Sequence, residues 1–249
     1  MSLHRKSRKY HKWLMLFVGV QLLIWSITGA YMVVMDIHYI HGDSLVSTKQ
    51  KAIAVGDVKY SLRQLLADHN EAVNVKLGML LNQTVYRFNE GDHKVIVSAF
   101  DGRQLSPIDK TLAISIAQDK YANTNALVGH VQLITTNPPR ELSGRYLPAW
   151  RVDFDDFASP SFYISANSGQ LVTKRHSYWR IFDWMFAFHV MDYVDEAAGN
   201  KLLLVFTALA FIASIFGLVL TYFRLMPQQN KKNDYFDKKL NKGFTNEET

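Results

Sequence analysis

VYRFNEGDHKVIVSAFDGRQL, Val85 to Leu105, reads as a β-hairpin. Residues 84–88 favour strand, Asn89-Glu90-Gly91-Asp92 supplies turn chemistry, and Val95-Ile96-Val97 resumes the strand. The stretch recurs as AWRVDFDDFASPSFYISANSGQL, Ala149 to Leu171. Aromatic-Arg appears as Tyr86-Arg87 and Trp150-Arg151. Ser-Ala-x-x-Gly appears as Ser98-Ala99-x-x-Gly102 and Ser165-Ala166-x-x-Gly169. The offsets, 64 and 67, nearly agree, which marks a weak internal repeat. Asp101-Gly102 and Ser168-Gly169 are turn dipeptides in which glycine supplies the positive φ.

Each copy is preceded by a helical pattern. Ser61 can cap a helix through Leu62, Leu65 and Leu66. Thr111 or Asp109 can cap one through Leu112, Ile114, Ile116 and Ala117, with Tyr121 near its end. A strand over 130–135 leads the second sheet, and Asn137-Pro138-Pro139 to Pro148 reads as a loop. These patterns predict an α+β fold with two units, 57–106 and 107–175, each a helix on an antiparallel sheet. Val95, Val97, Ile114, Phe162 and Ile164 are expected to be buried.

Outward from this region lie two uncharged apolar runs, Trp13 to Met35 and Leu202 to Phe223. Twenty-three residues at a helical rise span about 34 Å, enough to cross a bilayer core of about 30 Å with some tilt. The first run exceeds the apolar region of a cleaved signal peptide, and Met35-Asp36-Ile37-His38-Tyr39 offers no small-x-small cleavage site. Pro227 discourages continuation of the second helix. Small residues four apart, Ser26 and Ala30, Ala210 and Ser214, Ala213 and Gly217, would let helices approach closely in a homodimer or larger membrane complex.

Within 249 residues of net charge +6, the middle 36–200 holds 16 basic and 18 acidic residues. The basic excess therefore flanks the apolar runs: Arg5, Lys6, Arg8, Lys9 and Lys12 at the start, and six basic against four acidic residues in 224–249. This pattern places both termini in the cytoplasm and the central domain on the far side. No contiguous basic face is implied on that domain, so nucleic acid is a poor partner. The absence of cysteine excludes disulfides, Cys-ligated metal, covalent haem attachment and thiol catalysis.

No HExxH, GxSxG, GxGxxG or P-loop string occurs. Asp153, Asp155 and Asp156 cluster at a strand end and read as a solvated turn. Histidine remains. His4 lies in the basic tail, and His69, His93 and His130 read as surface or turn residues. His11 sits at the near end of the first span. His38 and His41 sit at its far end, and His189 precedes the second span on the same far side. If Tyr178 to Tyr193 is helical, Trp179, Phe182, Phe186, His189 and Tyr193 form one stripe. Such a stripe serves equally as an interfacial aromatic belt or as the wall of a b-type haem pocket, which needs only axial side chains and an apolar slot. His38 and His41 cannot both ligate one iron, because three helical residues place them on the same side of the ring.

His11-Lys12-Trp13 before the first span, the helix-plus-hairpin repeats and Phe188-His189-Val190-Met191-Asp192 before the second resemble the PepSY-associated transmembrane proteins over about residues 10–224. The resemblance implies a basic tail 1–12, a span 13–35, a linker 36–56, the two PepSY-like units, an interfacial helix 176–200, a span 201–223 and a tail 224–249. It implies an inner-membrane protein with a periplasmic domain. Larger members of the family are linked to reduction of ferric siderophores by membrane haem, whereas PepSY domains elsewhere are associated with peptidase propeptides. The leading expectation is an electron-transfer or accessory component of an envelope redox or iron-reduction system. Haem b would be held by His189 with His38 or His41, and His11 is the second family-like histidine. The alternatives are a non-enzymatic periplasmic module that modulates a peptidase or partner protein by strand addition, and an accessory subunit that only anchors a larger complex.

Overall fold

The computed structural model describes residues 3–49, 51–53, 55–192 and 200–225. Tyr193, Pro227 and most of the tail 224–249 lie outside the described residues. The chain is α+β and divides into two compact units: helices from the segments ending at Met32 and beginning at Met185, and a central unit, Val33–Trp184. In chain order the elements are α1 (Leu3–Val34), α2 (Ile37–Ile40), α3 (Leu62–Asp68), β1 (Ala72–Leu80), β2 (Gln83–Glu90), β3 (His93–Ser98), α4 (Lys110–Lys120), β4 (Leu127–Ile134), β5 (Ala149–Asp155), β6 (Ser161–Ser165), β7 (Leu171–Arg175), α5 (Ser177–Val190) and α6 (Lys201–Leu225).

Local chemistry sets the helix boundaries. Ser61 and Gln64 form a capping box at the start of α3. The Asp109 carboxylate, rather than Thr111, caps α4, accepting from Leu112 N at 2.7 Å. Asp36 caps α2 in the same way, at 2.8 Å from Tyr39 N. His38 and His41 therefore belong to a separate one-turn helix, not to the end of α1 as the sequence suggests. Gly42, at φ 68°, turns the chain out of α2.

Two antiparallel sheets follow, ordered β1-β2-β3 and β4-β5-β6-β7. The strands β1 and β7 were not part of the hairpin reading. In the first sheet Val85, Tyr86 and Arg87 pair with Ser98, Val97 and Ile96. In the second, Ala149, Trp150 and Arg151 pair with Ser165, Ile164 and Tyr163. These partners are related by the same offsets, 64 and 67, seen in the sequence. The turns match bond for bond. Gly102 N donates to Ser98 O at 3.0 Å and Gly169 N to Ser165 O at 2.9 Å. Ser98 N donates to Arg103 O at 2.9 Å and Ser165 N to Gln170 O at 3.0 Å. Both glycines have positive φ, 71° and 59°.

The two helix-and-sheet segments do not keep separate cores. Leu65 of α3 packs with Tyr86, Phe88, Val95 and Val97 on one face of the first sheet. The opposite face, Val85 and Ile96, joins Ala113, Ile116 and Ala117 of α4 and Val152, Phe154, Phe162 and Ile164 of the second sheet in one cluster. Period-two alternation thus buries both faces of β2. Ile114 is only half-buried, because α4 turns Ala113, Ile116 and Ala117 inward instead. The outer face of the second sheet is closed by Leu142 and Tyr163. There the Glu141 carboxylate accepts from Arg180 Nε at 2.8 Å and Nη2 at 3.0 Å, and from the Tyr163 hydroxyl. Burial alone would raise the Glu141 carboxyl, but the bonds from Arg180 and Tyr163 win and hold it below the usual range. This clamp fixes the first half of α5 to the central unit.

Phe162→Ala should cost about 3–5 kcal/mol of stability. Leu127→Ala, at a side chain 72% exposed, should stay within about 0.5 kcal/mol. Guanidinium unfolding of the detergent-solubilised protein, followed by tryptophan fluorescence, measures both.

Candidate functional site

The helical unit contains two helices long and apolar enough to cross a membrane, Lys6–Val34 and Lys201–Leu225. Their inward residues follow an alternating three-four spacing. On α1 these are Ser7, His11, Leu14, Val18, Gln21, Trp25, Thr28 and Met32; on α6 they are Leu203, Phe206, Ala210, Ala213, Gly217 and Leu220. This spacing marks a seam, the face along which each helix is shielded from its surroundings. Ala210, Ala213 and Gly217 lie on it, whereas Ser26, Ala30 and Ser214 face outward. The seam is polar in places. Gln21 Nε2 and Trp25 Nε1 are buried with no hydrogen-bond partner among the described residues, a costly condition for donors in an apolar medium.

Two histidines close this unit, each against a glycine. His11 Nδ1 lies 3.0 Å from the Ala213 carbonyl. A Cβ at Gly217 would stand 3.2 Å from its Cε1. His189, near the end of α5, places Nδ1 2.9 Å from Thr28 Oγ1. A Cβ at Gly29 would stand 3.3 Å from its Cε1. The acceptors fix the tautomers. A carbonyl only accepts, so the His11 proton is on Nδ1. The Thr28 hydroxyl spends its own hydrogen on the Ile24 carbonyl at 2.8 Å, so it too accepts from Nδ1–H. In the neutral ring this tautomer leaves the lone pair on Nε2, the state in which imidazole ligates a metal. Along α1, residues 11 and 28 are about 26 Å apart, so His11 and His189 stand at opposite ends of the seam and cannot share one ligand atom.

His38 and His41 belong to the central unit and are exposed. His38 Nδ1 is 3.2 Å from Asp43 Oδ2. The carboxylate accepts, which again leaves the neutral ring its Nε2 lone pair. Lys174, first, and His38 hold the Asp43 carboxyl below its ordinary range. The remaining histidines are engaged differently. His69 meets Glu90 at 3.2 Å and Phe88 at 4.9 Å between rings. His130 meets Asp153 at 3.4 Å, and His93 lies exposed at the first residue of β3. Asp153 also takes Arg151 at 2.8 Å, and Asp156 accepts from Tyr121 and Asn123 at 2.7 Å each. No group of three or more His, Asp or Glu suited to a metal ion occurs among the described residues.

The expected aromatic stripe is divided. Trp179 lies under the Arg175 guanidinium at 4.1 Å, and Phe186 is 48% exposed. Ala187 is the buried residue of α5. Ile181, Trp184, Phe186 and Phe188 are all exposed, in keeping with an interfacial belt.

Sequence reading overlooked His176, which is 2% exposed. Its Nε2–H donates to the Tyr39 carbonyl at 2.9 Å, while Nδ1 is buried without a partner. The bond ties the segment after α1 to the segment before α5, the two points where the chain enters and leaves the central unit. A single histidine between a strand and a helix carries no pattern that would have revealed this.

No family model matches the chain, and no curated protein or solved structure matches it.

Two measurements check this geometry. In the neutral rings of His11 and His189 the imidazole 15N shifts should show a protonated Nδ1 and a pyridine-like Nε2. For His176, burial lowers the pKa more than the Tyr39 bond raises it. The unfolded chain takes up a proton below about pH 6.5 while the folded ring stays neutral, so stability should fall as pH drops from there toward the lowered folded value. His176→Gln should flatten that slope in melts between pH 7.5 and 5.

Proposed function

We propose that the chain is an inner-membrane haem b protein serving envelope electron transfer, with both termini cytoplasmic and the central unit in the periplasm. The observation that carries this reading is the shared state of His11, His38 and His189. In its neutral Nδ1–H tautomer each donates to an oxygen acceptor and leaves the Nε2 lone pair for ligation. Second-shell bonds of this type orient imidazole ligands at metal centres. Gly29 and Gly217 let two of the rings pack close against α1 and α6, and the Gln21 and Trp25 side-chain donors, which have no partner among the described residues, suit a group bearing acceptor oxygens. On these grounds His189 and His11 would each offer one imidazole to the cofactor.

In this reading His189 would be the principal residue to hold the haem. His11 would need a second imidazole from another copy or a partner chain, which makes a homodimer or larger membrane complex part of the proposal. Bound haem would supply one-electron oxidation and reduction. The protein would supply orientation of His189 through Thr28. The resemblance to PepSY-associated transmembrane proteins is what suggests a role in iron or other envelope reduction.

A second reading, peptidase or partner modulation by strand addition, draws on the outer strands. Val73 and Leu77 of β1 and Leu127 and Leu133 of β4 are exposed. Both strands carry register irregularities, between Val73 and Lys76 and between Val128 and His130, and bulges of this kind blunt edge pairing.

Haem titration of the purified protein separates the two readings. Wild type should give a saturable Soret shift, and His189→Ala should lose at least half of the bound haem with membrane insertion intact. His93→Ala and His130→Ala should bind as wild type does. Equal binding by the His189 variant, or no shift in wild type, favours the strand-addition module.

A further inference from the structure

Arg87 is a half-buried charge without a paired acid among the described residues. Its Nε donates to the Ser168 carbonyl at 3.2 Å and its Nη2 to the Met79 carbonyl at 3.1 Å. Nη1 lies over Gly78, where a Cβ would stand only 3.1 Å away. No carboxylate pairs with Arg87 among the described residues. Burial alone lowers the pKa of its guanidinium.

The second sheet shows what is missing. Arg151, which holds the matching register position, donates to Asp153 two residues along at 2.8 Å. The position two residues beyond Arg87 is Asn89, which is neutral. A guanidinium that loses water without gaining a counter-charge is costly, and an incoming anion would offset that cost.

The surroundings suit such an anion. Arg87 and Gly78 line a cleft of about 720 Å³ in the central unit, within the usual size range of small-molecule sites. Lys49, Lys51 and Lys120 also line it, against one acid, Asp119. Asp119 neutralises Lys51 at 2.6 Å, while Lys49 and Lys120 have no ion-pair partner among the described residues. Ile53, Leu81, Ile116 and Leu171 supply apolar wall. The free donors of Nη1 and the two unpaired lysines call for an oxyanion. The nearby Asp119 carboxylate disfavours a multiply charged one, and the walls call for an apolar body.

We propose that this cleft binds a carboxylate joined to an apolar body, with Nη1 of Arg87 as the principal anchor and Lys49 and Lys120 as flanking charges. The site does not depend on the haem reading. A peptide C-terminus and a free organic acid share this chemistry.

Calorimetric titration of the full-length protein in nanodiscs tests the site with four probes: the tripeptide Ala-Leu-Phe as free acid, its C-terminal amide, phenylpropionate and inorganic phosphate. The free acids should bind, the amide at least about 10-fold more weakly, and phosphate not measurably. Tripeptide binding without phenylpropionate binding identifies a peptide terminus, and the reverse identifies a small organic acid. Arg87→Gln should weaken the bound acid at least about 10-fold. Because Arg87 also braces two carbonyls, Gly78→Val serves as the second variant: it leaves Arg87 in the chain but fills the space beside Nη1, and it should weaken binding similarly. Lys49→Ala should cost about 3-fold. No binding by either acid at millimolar concentration, equal binding of acid and amide, binding of phosphate alone, or unchanged affinity in folded Arg87 and Gly78 variants overturns the proposal.

Discussion

An imidazole can lie flat against a helix only where the helix has no side chain in the way. Gly29 and Gly217 meet that condition at the two ends of the helix pair, where a Cβ would come within 3.3 and 3.2 Å of His189 and His11. Such distances are tighter than ordinary van der Waals contact, so a methyl at either position would require the ring to give by a few tenths of an ångström. The Nδ1 bonds to Thr28 Oγ1 and the Ala213 carbonyl follow from that close approach. So do the tautomers, and with them the ligating state of Nε2. In an apolar surround these bonds also matter for stability, because an imidazole N–H there has no water to fall back on.

The central unit rests on a different constraint. Its first sheet is too small to bury one face and leave the other to solvent, and β2 is apolar on both. Tyr86 and Phe88 are covered by α3, while Val85 needs a second cover, which α4 and the second sheet provide. The two helix-and-sheet segments are therefore joined by a shared core, and the glycine turn at Gly169 sits directly against Ile96, Leu80 and Ile116. Arg87 lies on the same shared side, which is why its environment departs from that of Arg151 despite matching strand register.

Much of this was legible in the residues. The hairpins, their turns and the caps at Ser61 and Asp109 are local chemistry, and local chemistry is read directly from sequence. The strand β1 was missed because its alternation, Val73, Val75, Leu77 and Met79, is interrupted by Asn74 at φ 56° and a register shift. Ile114 misled because the helical period leaves two faces open to choice, and only the second sheet decides between them. At the site, His11 and His189 could be picked out by position, but their partners could not. Thr28, Gly29, Ala213 and Gly217 become neighbours of histidine only through packing between helices. Ser26 and Ala30 lie off this seam, on the outward face of α1. The break after Val34, set by the Asp36 cap, moved His38 and His41 onto their own turn.

The central claim is that the histidines of this chain are set to ligate haem within a membrane helix pair. The absorption spectrum of the protein purified from its native membrane, recorded oxidised and dithionite-reduced, tests it most directly. The account predicts a Soret band that persists through purification and a sharp α-band on reduction. A colourless protein that also takes up no haem on reconstitution would contradict it.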